Sequence, residues 1–125
     1  MLSPITEQEF KQLALQGYNR IPLVAETFAD LDTPLSLYLK LANQPYSYLL
    51  ESVQGGERFG RYSFIGLPAQ TIISVRGQRI SLTQAGSETV HKAANPLDFI
   101  KDYLKNFKVA PLSGLPRFTG GLAGY

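Results

Sequence analysis

Glu51 and Ser52 place a carboxylate and a hydroxyl at the end of an apolar, aromatic-rich run, "YSYLLES", at residues 46–52. A carboxylate accepts charge-assisted hydrogen bonds from an ammonium group, and a neighbouring hydroxyl can fix the orientation of the ligand. Leu49, Leu50 and Val53 would add an apolar wall. The run therefore predicts a site for a ligand with an ammonium group or, on the plainer interpretation, a strand whose polar end faces water.

The rest of the chain carries no recognisable catalytic constellation. The single histidine, His91, lies in "SETVHKAAN", which we interpret as a solvated polar connection, and cysteine is absent. Metal sites and nucleophile–base pairs need several converging groups. The nearest acidic pair, Asp30 and Asp32, fits a strand end and a helix cap. We therefore expect no catalytic residue and no metal site in this chain.

Three helices are predicted to support the strands. In the first, "ITEQEFKQLALQG", Thr6 and Glu9 have the spacing of a capping box, and Gly17 supplies a left-handed residue at the end. The second and third helices begin at Pro34 and Pro96, each after a polar capping residue. The buried stripe of the second helix is expected to comprise Leu35, Tyr38, Leu39 and Ala42.

Antiparallel strands are predicted at residues 46–53 and 61–66, and a hairpin at 71–76 and 79–84 turns through Gly77-Gln78. The fold class is therefore α+β, a mostly antiparallel sheet with about three helices. The final run "RFTGGLAGY", residues 117–125, begins what reads as a further strand. We expect a chain cut inside an element of a longer protein, with an apolar face left exposed or covered by self-association.

Composition excludes several classes of function. The 125 residues fit one domain, and 44% of them are hydrophobic, which is enough for a core. The net charge is +2 and the twelve basic residues form no block, so a nucleic-acid partner is not expected. No apolar run reaches the length of a membrane span, and no signal peptide is visible. The default expectation is a cytoplasmic protein.

The run "YSYLLESVQGGERFGRYSFIG", residues 46–66, resembles the N-terminal part of anthranilate synthase component I. The runs "RIPLVAETFADLDTPLSLYLKL" and "LPRFTGGLAGY" resemble the flanking segments of that family. The resemblance covers essentially the whole chain. It implies that residues 1–125 form the N-terminal regulatory region of the chorismate-utilising fold, without the catalytic domain.

The resemblance also implies the chemistry of the parent enzyme, which converts chorismate to anthranilate and pyruvate with magnesium and a glutamine amidotransferase partner. L-tryptophan inhibits that family at a site shared between the LLES strand and the C-terminal domain. Carried over by position, the inhibitor contacts would be Ser52, Glu51, Leu50, Val53 and Arg61. The chain alone would contain no catalytic residue, cofactor or metal.

Three other interpretations remain open. The same region of aminodeoxychorismate synthase, a folate enzyme, resembles this chain and would hold tryptophan without being regulated by it. A free-standing amino-acid-binding or adaptor domain would have to fold as a monomer without an unpaired edge. The chain could also be a purely structural α+β module with no ligand role. The absence of any effect of Ser52→Ala in the full-length protein would support that interpretation.

Overall fold

The computed structural model describes residues 4–51 and 62–125. It contains helices and antiparallel strands, which confirms the predicted α+β class. The elements are α1 (Glu7–Leu15), α2 (Pro34–Leu41), β1 (Tyr48–Glu51), β2 (Ser63–Gly66), β3 (Thr71–Arg76), β4 (Arg79–Gln84), β5 (Ser87–Lys92) and α3 (Pro96–Leu104). The chain forms two compact units, one from Met1–Thr27 with Leu97–Tyr125 and the other from Phe28–Pro96.

In the first unit, α1 begins with the predicted capping box. The Thr6 hydroxyl accepts from the Glu9 N–H at 3.1 Å, and the Glu9 carboxylate accepts from the Thr6 N–H at 2.7 Å. The hydrogen bond that the Thr6 backbone N–H donates to the carboxylate, followed by one from the Thr6 side chain, holds the pKa of Glu9 below its ordinary value. Gly17, with φ of 99°, follows the helix as expected.

The first unit is closed by contacts between its two segments. Arg20 and Val109 form an isolated parallel β-bridge. Beside it, the Asn19 side-chain amide donates to the Asn106 carbonyl at 2.6 Å and accepts from the Lys108 N–H at 2.7 Å. Asn19 therefore satisfies backbone groups that would otherwise lack partners in this irregular region.

The second unit contains a three-stranded antiparallel meander in the order β3-β4-β5. The predicted β3–β4 hairpin is confirmed, and Gly77, with φ of 60°, takes the first turn position that a type II′ turn reserves for glycine. The central strand carries Ile80, which is fully buried, and Leu82. This strand therefore forms the core of the meander.

Strand β5 was not predicted, because its polar sequence was interpreted as a connection. It pairs with β4 along its whole length, and His91 lies opposite Ile80. The Thr89 hydroxyl lies 3.3 Å from the His91 imidazole Nε2, within hydrogen-bonding distance. The β4–β5 turn uses Ala85 and Gly86, both with positive φ. The interpretation of His91 as a loop residue is therefore wrong, although the side chain is exposed.

Two further expectations differ from the structure. In the predicted buried stripe of α2, Ala42 is buried and Tyr38 half-buried, but Leu35 and Leu39 are 56% and 54% exposed. Residues 117–125 form no helix or strand. Among the described residues, no helix is long and apolar enough to cross a membrane.

Candidate functional site

The candidate site is built on the two-stranded sheet of β1 and β2. The strands are antiparallel, with Leu49 opposite Ile65 and Leu50 opposite Phe64. Because side chains alternate along a strand, Leu50 and Glu51 lie on opposite faces. A single ligand that contacts both must therefore lie at the end or along the open edge of β1.

Glu51 is the last residue of β1 and is exposed. Its directly opposite residue is Ser63, the exposed first residue of β2. The pairing places a hydroxyl beside the carboxylate on one face of the sheet. No cation forms an ion pair with Glu51 within residues 4–51 and 62–125. The carboxylate is thus accessible to an ammonium group.

Ser63 is the candidate residue that sequence reasoning missed. Its neighbour in space is Glu51, twelve positions earlier in the chain, and only the β1–β2 register shows the pairing. The alternation of polar and apolar residues in "RYSFIG" marks Ser63 as sharing a face with Ile65. That alternation alone could not have identified the residue across the sheet.

Helix α2 packs against β1 and β2. The Tyr38 hydroxyl lies 2.9 Å from the Ser47 hydroxyl, which in turn donates to the Gln44 carbonyl at 2.6 Å. These hydrogen bonds tie the middle of α2 to the residues that lead into β1. The helix therefore positions the strand that carries Leu50 and Glu51.

The start of α2 is fixed by a small polar cluster. Asp32 accepts from the Lys40 ammonium at 2.7 Å and from the Ser36 hydroxyl at 2.8 Å. The hydrogen bond from Lys40, followed by that from Ser36, holds the pKa of Asp32 below its ordinary value. Thr33 and Ser36 complete a capping box at the same end.

Strand β1 begins later than predicted. Tyr46 was expected to start the strand, but its φ of 60° lies in the left-handed region, which breaks the alternation of side chains. Its carbonyl nevertheless accepts from the Ala69 N–H at 2.9 Å. The local bend therefore sets where β1 begins, and Tyr48 is its first residue.

The structure describes two of the five predicted inhibitor contacts. Leu50 is 49% exposed, and Glu51 is exposed. Ser52, Val53 and Arg61 lie outside the described residues. Their predicted roles therefore stay predictions.

Curated relatives match almost the whole chain. The anthranilate synthase component 1 of Neisseria meningitidis serogroup B is 59% identical over 121 residues, which are 97% of this chain and 25% of the relative. That of Pseudomonas putida is 57% identical over 122 residues, with the same coverage. That of Synechocystis is 41% identical over 125 residues, 99% of the chain and 24% of the relative. The chain is homologous to anthranilate synthase component 1.

The match covers nearly all of this chain but only part of each relative. The chain spans about a quarter of the length of the curated relatives it matches. No family model matches the chain, and no solved structure matches it. The resemblance found in the runs around Glu51 is confirmed by 41–59% identity, over 97–99% of the chain, to relatives that carry this name.

Proposed function

We propose that residues 1–125 are the N-terminal regulatory region of an anthranilate synthase component I and contribute part of a feedback site for L-tryptophan. The observation that carries the proposal is 59% identity over 97% of the chain to a relative of that name. The three relatives named above share the name, which favours this assignment over aminodeoxychorismate synthase.

In this proposal the end of β1 recognises the inhibitor. The Glu51 carboxylate accepts hydrogen bonds from the ammonium group of L-tryptophan, and Ser52 orients the amino-acid end. Leu50 and Val53 line the apolar part of the pocket, and Arg61 lies near the inhibitor. The exposure of Glu51, without a cation partner among the described residues, supports this role.

The parent enzyme would convert chorismate to anthranilate and pyruvate in the cytoplasm, with ammonia from a glutamine amidotransferase subunit. Its catalytic domain would complete the tryptophan site, so that inhibitor binding favours one arrangement of the two domains over another. Couplings of this kind are typically about 1–3 kcal/mol. The chain alone would have no lyase activity.

Magnesium, which the parent enzyme would use, is expected to bind outside this chain. Within residues 4–51 and 62–125, no group of three or more His, Cys, Asp or Glu side chains could hold a metal ion.

The absence of tryptophan from the chain allows a direct test. The fluorescence anisotropy of free L-tryptophan is followed while the chain, or a longer protein that includes the catalytic domain, is titrated in. We expect a saturable rise with at least the longer protein. Glu51→Gln should weaken binding about tenfold or more, because a charge-assisted hydrogen bond is lost.

Glu88→Gln is the matched control, since it removes an exposed carboxylate from a strand of the other sheet. It should leave tryptophan binding unchanged. Ser52→Ala tests the hydroxyl in the same assay. Failure of both the chain and the longer protein to bind tryptophan would overturn the proposed site, while lyase activity of the longer protein would still report on the parent function.

The exposed leucines of α2 support a second part of the proposal. Leu35 and Leu39, four positions apart on one face of the helix, are each more than half exposed. Apolar side chains grouped on one helix are typical of a docking surface. The chain by itself is expected to self-associate through such surfaces, which sedimentation velocity over a range of concentrations would detect.

A further inference from the structure

Three basic residues that are scattered in the sequence form a single row across the meander. Arg76, the last residue of β3, is directly opposite Arg79, the first residue of β4. Arg79 is in turn directly opposite Lys92, the last residue of β5. Directly opposite side chains point to the same face, with Cβ atoms about 4.5–5.5 Å apart. We call this set the basic row.

Within residues 4–51 and 62–125, no carboxylate forms an ion pair with the basic row. Like charges directly opposite one another destabilise a sheet. All three side chains are exposed, and none forms an ion pair within the described residues. Glu88 is the one carboxylate on β3, β4 and β5, and it lies four positions along β5 from Lys92. At about 3.3 Å per residue, that separation is about 13 Å.

The next row on the same face supplies hydroxyl donors. Ser74 and Ser81 are directly opposite each other, two positions along their strands from Arg76 and Arg79. The Ser81 side chain is half-buried and Ser74 is exposed. Two guanidinium groups, one ammonium group and two hydroxyls therefore share one face at this end of the sheet.

We propose that the basic row, with Ser74 and Ser81, binds a phosphate group, either free or on a small molecule. Arginine pairs with phosphate through parallel N–H···O hydrogen bonds, and serine hydroxyls donate to the remaining oxygens. Because phosphate is a dianion, the charge of three cations matches it better than it matches a ligand with a single carboxylate. Three cations are also fewer than the six to ten phosphate contacts of a typical DNA-binding protein. None of these residues is a proposed tryptophan contact, and they lie on a different sheet from Glu51.

Amide NMR spectra of the chain at pH 7 provide the test. Sodium phosphate is titrated in, and sodium chloride at equal ionic strength is the reference. We expect saturable shifts in the amides of residues 74–81 and 90–92 with phosphate only. Arg79→Gln and Lys92→Gln should each weaken binding about tenfold or more, because each removes a charged donor.

Arg117→Gln is the matched control, since it makes the same change of charge at an exposed residue of the other unit. It should leave phosphate binding unchanged. Without phosphate, Arg79→Gln should raise the melting temperature at low salt because repulsion is relieved, so weaker binding cannot be attributed to unfolding. Equal shifts in chloride, equal affinity for acetate, or equal weakening by Arg117→Gln would overturn the proposal.

Discussion

The phenol ring of Tyr48 lies against the backbone of Gly66, the residue directly opposite it in the β1–β2 ladder. A methyl group at position 66 would collide with three carbons of that ring. Covering a strand glycine with a cross-strand aromatic ring gives the ring a flat surface to pack on and excludes water from the glycine backbone. The pair therefore fixes the register of the strand that carries Glu51.

Gly66→Ala should destabilise the chain by about 1–3 kcal/mol, because the Tyr48 ring must leave its position. Urea unfolding followed by far-UV circular dichroism measures the change. In a Tyr48→Ala background the same substitution should cost much less. Equal costs in the two backgrounds would mean that the ring is not the obstacle.

Ala85→Asn should stabilise the chain by about 0.5–1 kcal/mol. Ala85 has a φ of 48° and precedes Gly86 in a two-residue turn where both residues have positive φ. Asn-Gly is the preferred sequence for such a type I′ turn, and alanine is strained there. Thermal unfolding gives the comparison. Ala94→Gly, outside the turn, should not stabilise, and a gain there as large as at Ala85 would contradict the explanation.

The stability that Asp32 contributes should depend on pH. Its pKa is lowered in the folded chain from an ordinary value of 3.8, chiefly by the hydrogen bond from Lys40 and then by that from Ser36. The unfolded chain therefore binds the proton more readily, so this contribution is fully present above about pH 3.8 and is lost as pH falls through the folded pKa.

Asp32→Asn should accordingly lower stability at pH 7 and have a progressively smaller effect below pH 3.8. Asp30→Asn is the control, because Asp30 is exposed and forms no ion pair within the described residues. Urea midpoints from pH 7 down to pH 3 would show the difference. A pH-independent effect of Asp32→Asn would show that its charge is not responsible.

Arg20 and Phe107 should be coupled energetically. The Arg20 guanidinium lies 4.6 Å from the centroid of the Phe107 ring, and the Tyr103 and Phe107 rings form a T-shaped pair with centroids 5.2 Å apart. A double-mutant cycle with Arg20→Gln and Phe107→Leu should give a coupling of about 0.5–1 kcal/mol, the range for exposed cation–π pairs. Arg117→Gln paired with Phe107→Leu should be additive. A negligible coupling for Arg20 would contradict the interaction.

Local signals in the sequence predicted the parts of the fold that depend on neighbouring residues. The Thr6–Glu9 capping box, the start of α2 at Pro34 and the turn at Gly77 all form as predicted. Each depends on hydrogen bonds or dihedral angles within a few residues. Strand β5 was missed because its turn, Ala85-Gly86, lacks the Asn-Gly or Asp-Gly signature and its residues are exposed throughout.

Predictions that depend on distant partners were less successful. Helical spacing identified an apolar stripe on α2 but could not show what covers it, and Leu35 and Leu39 are exposed. Likewise, the sequence identified Glu51 as a candidate, while its neighbour Ser63 required the register of β1 and β2. The basic row also emerges only when three strands are aligned.

The parallel bridge at Arg20 has a consequence for the order in which the chain folds. Asn19 and Lys108 are 89 positions apart, so the first unit can close only after residue 108 has been synthesised. The β3-β4-β5 meander, by contrast, pairs consecutive strands through two-residue turns and can form as soon as it is made. Residues 4–27 are therefore synthesised before the meander but complete their unit after it, so they remain without their partners for longer, a condition that favours aggregation.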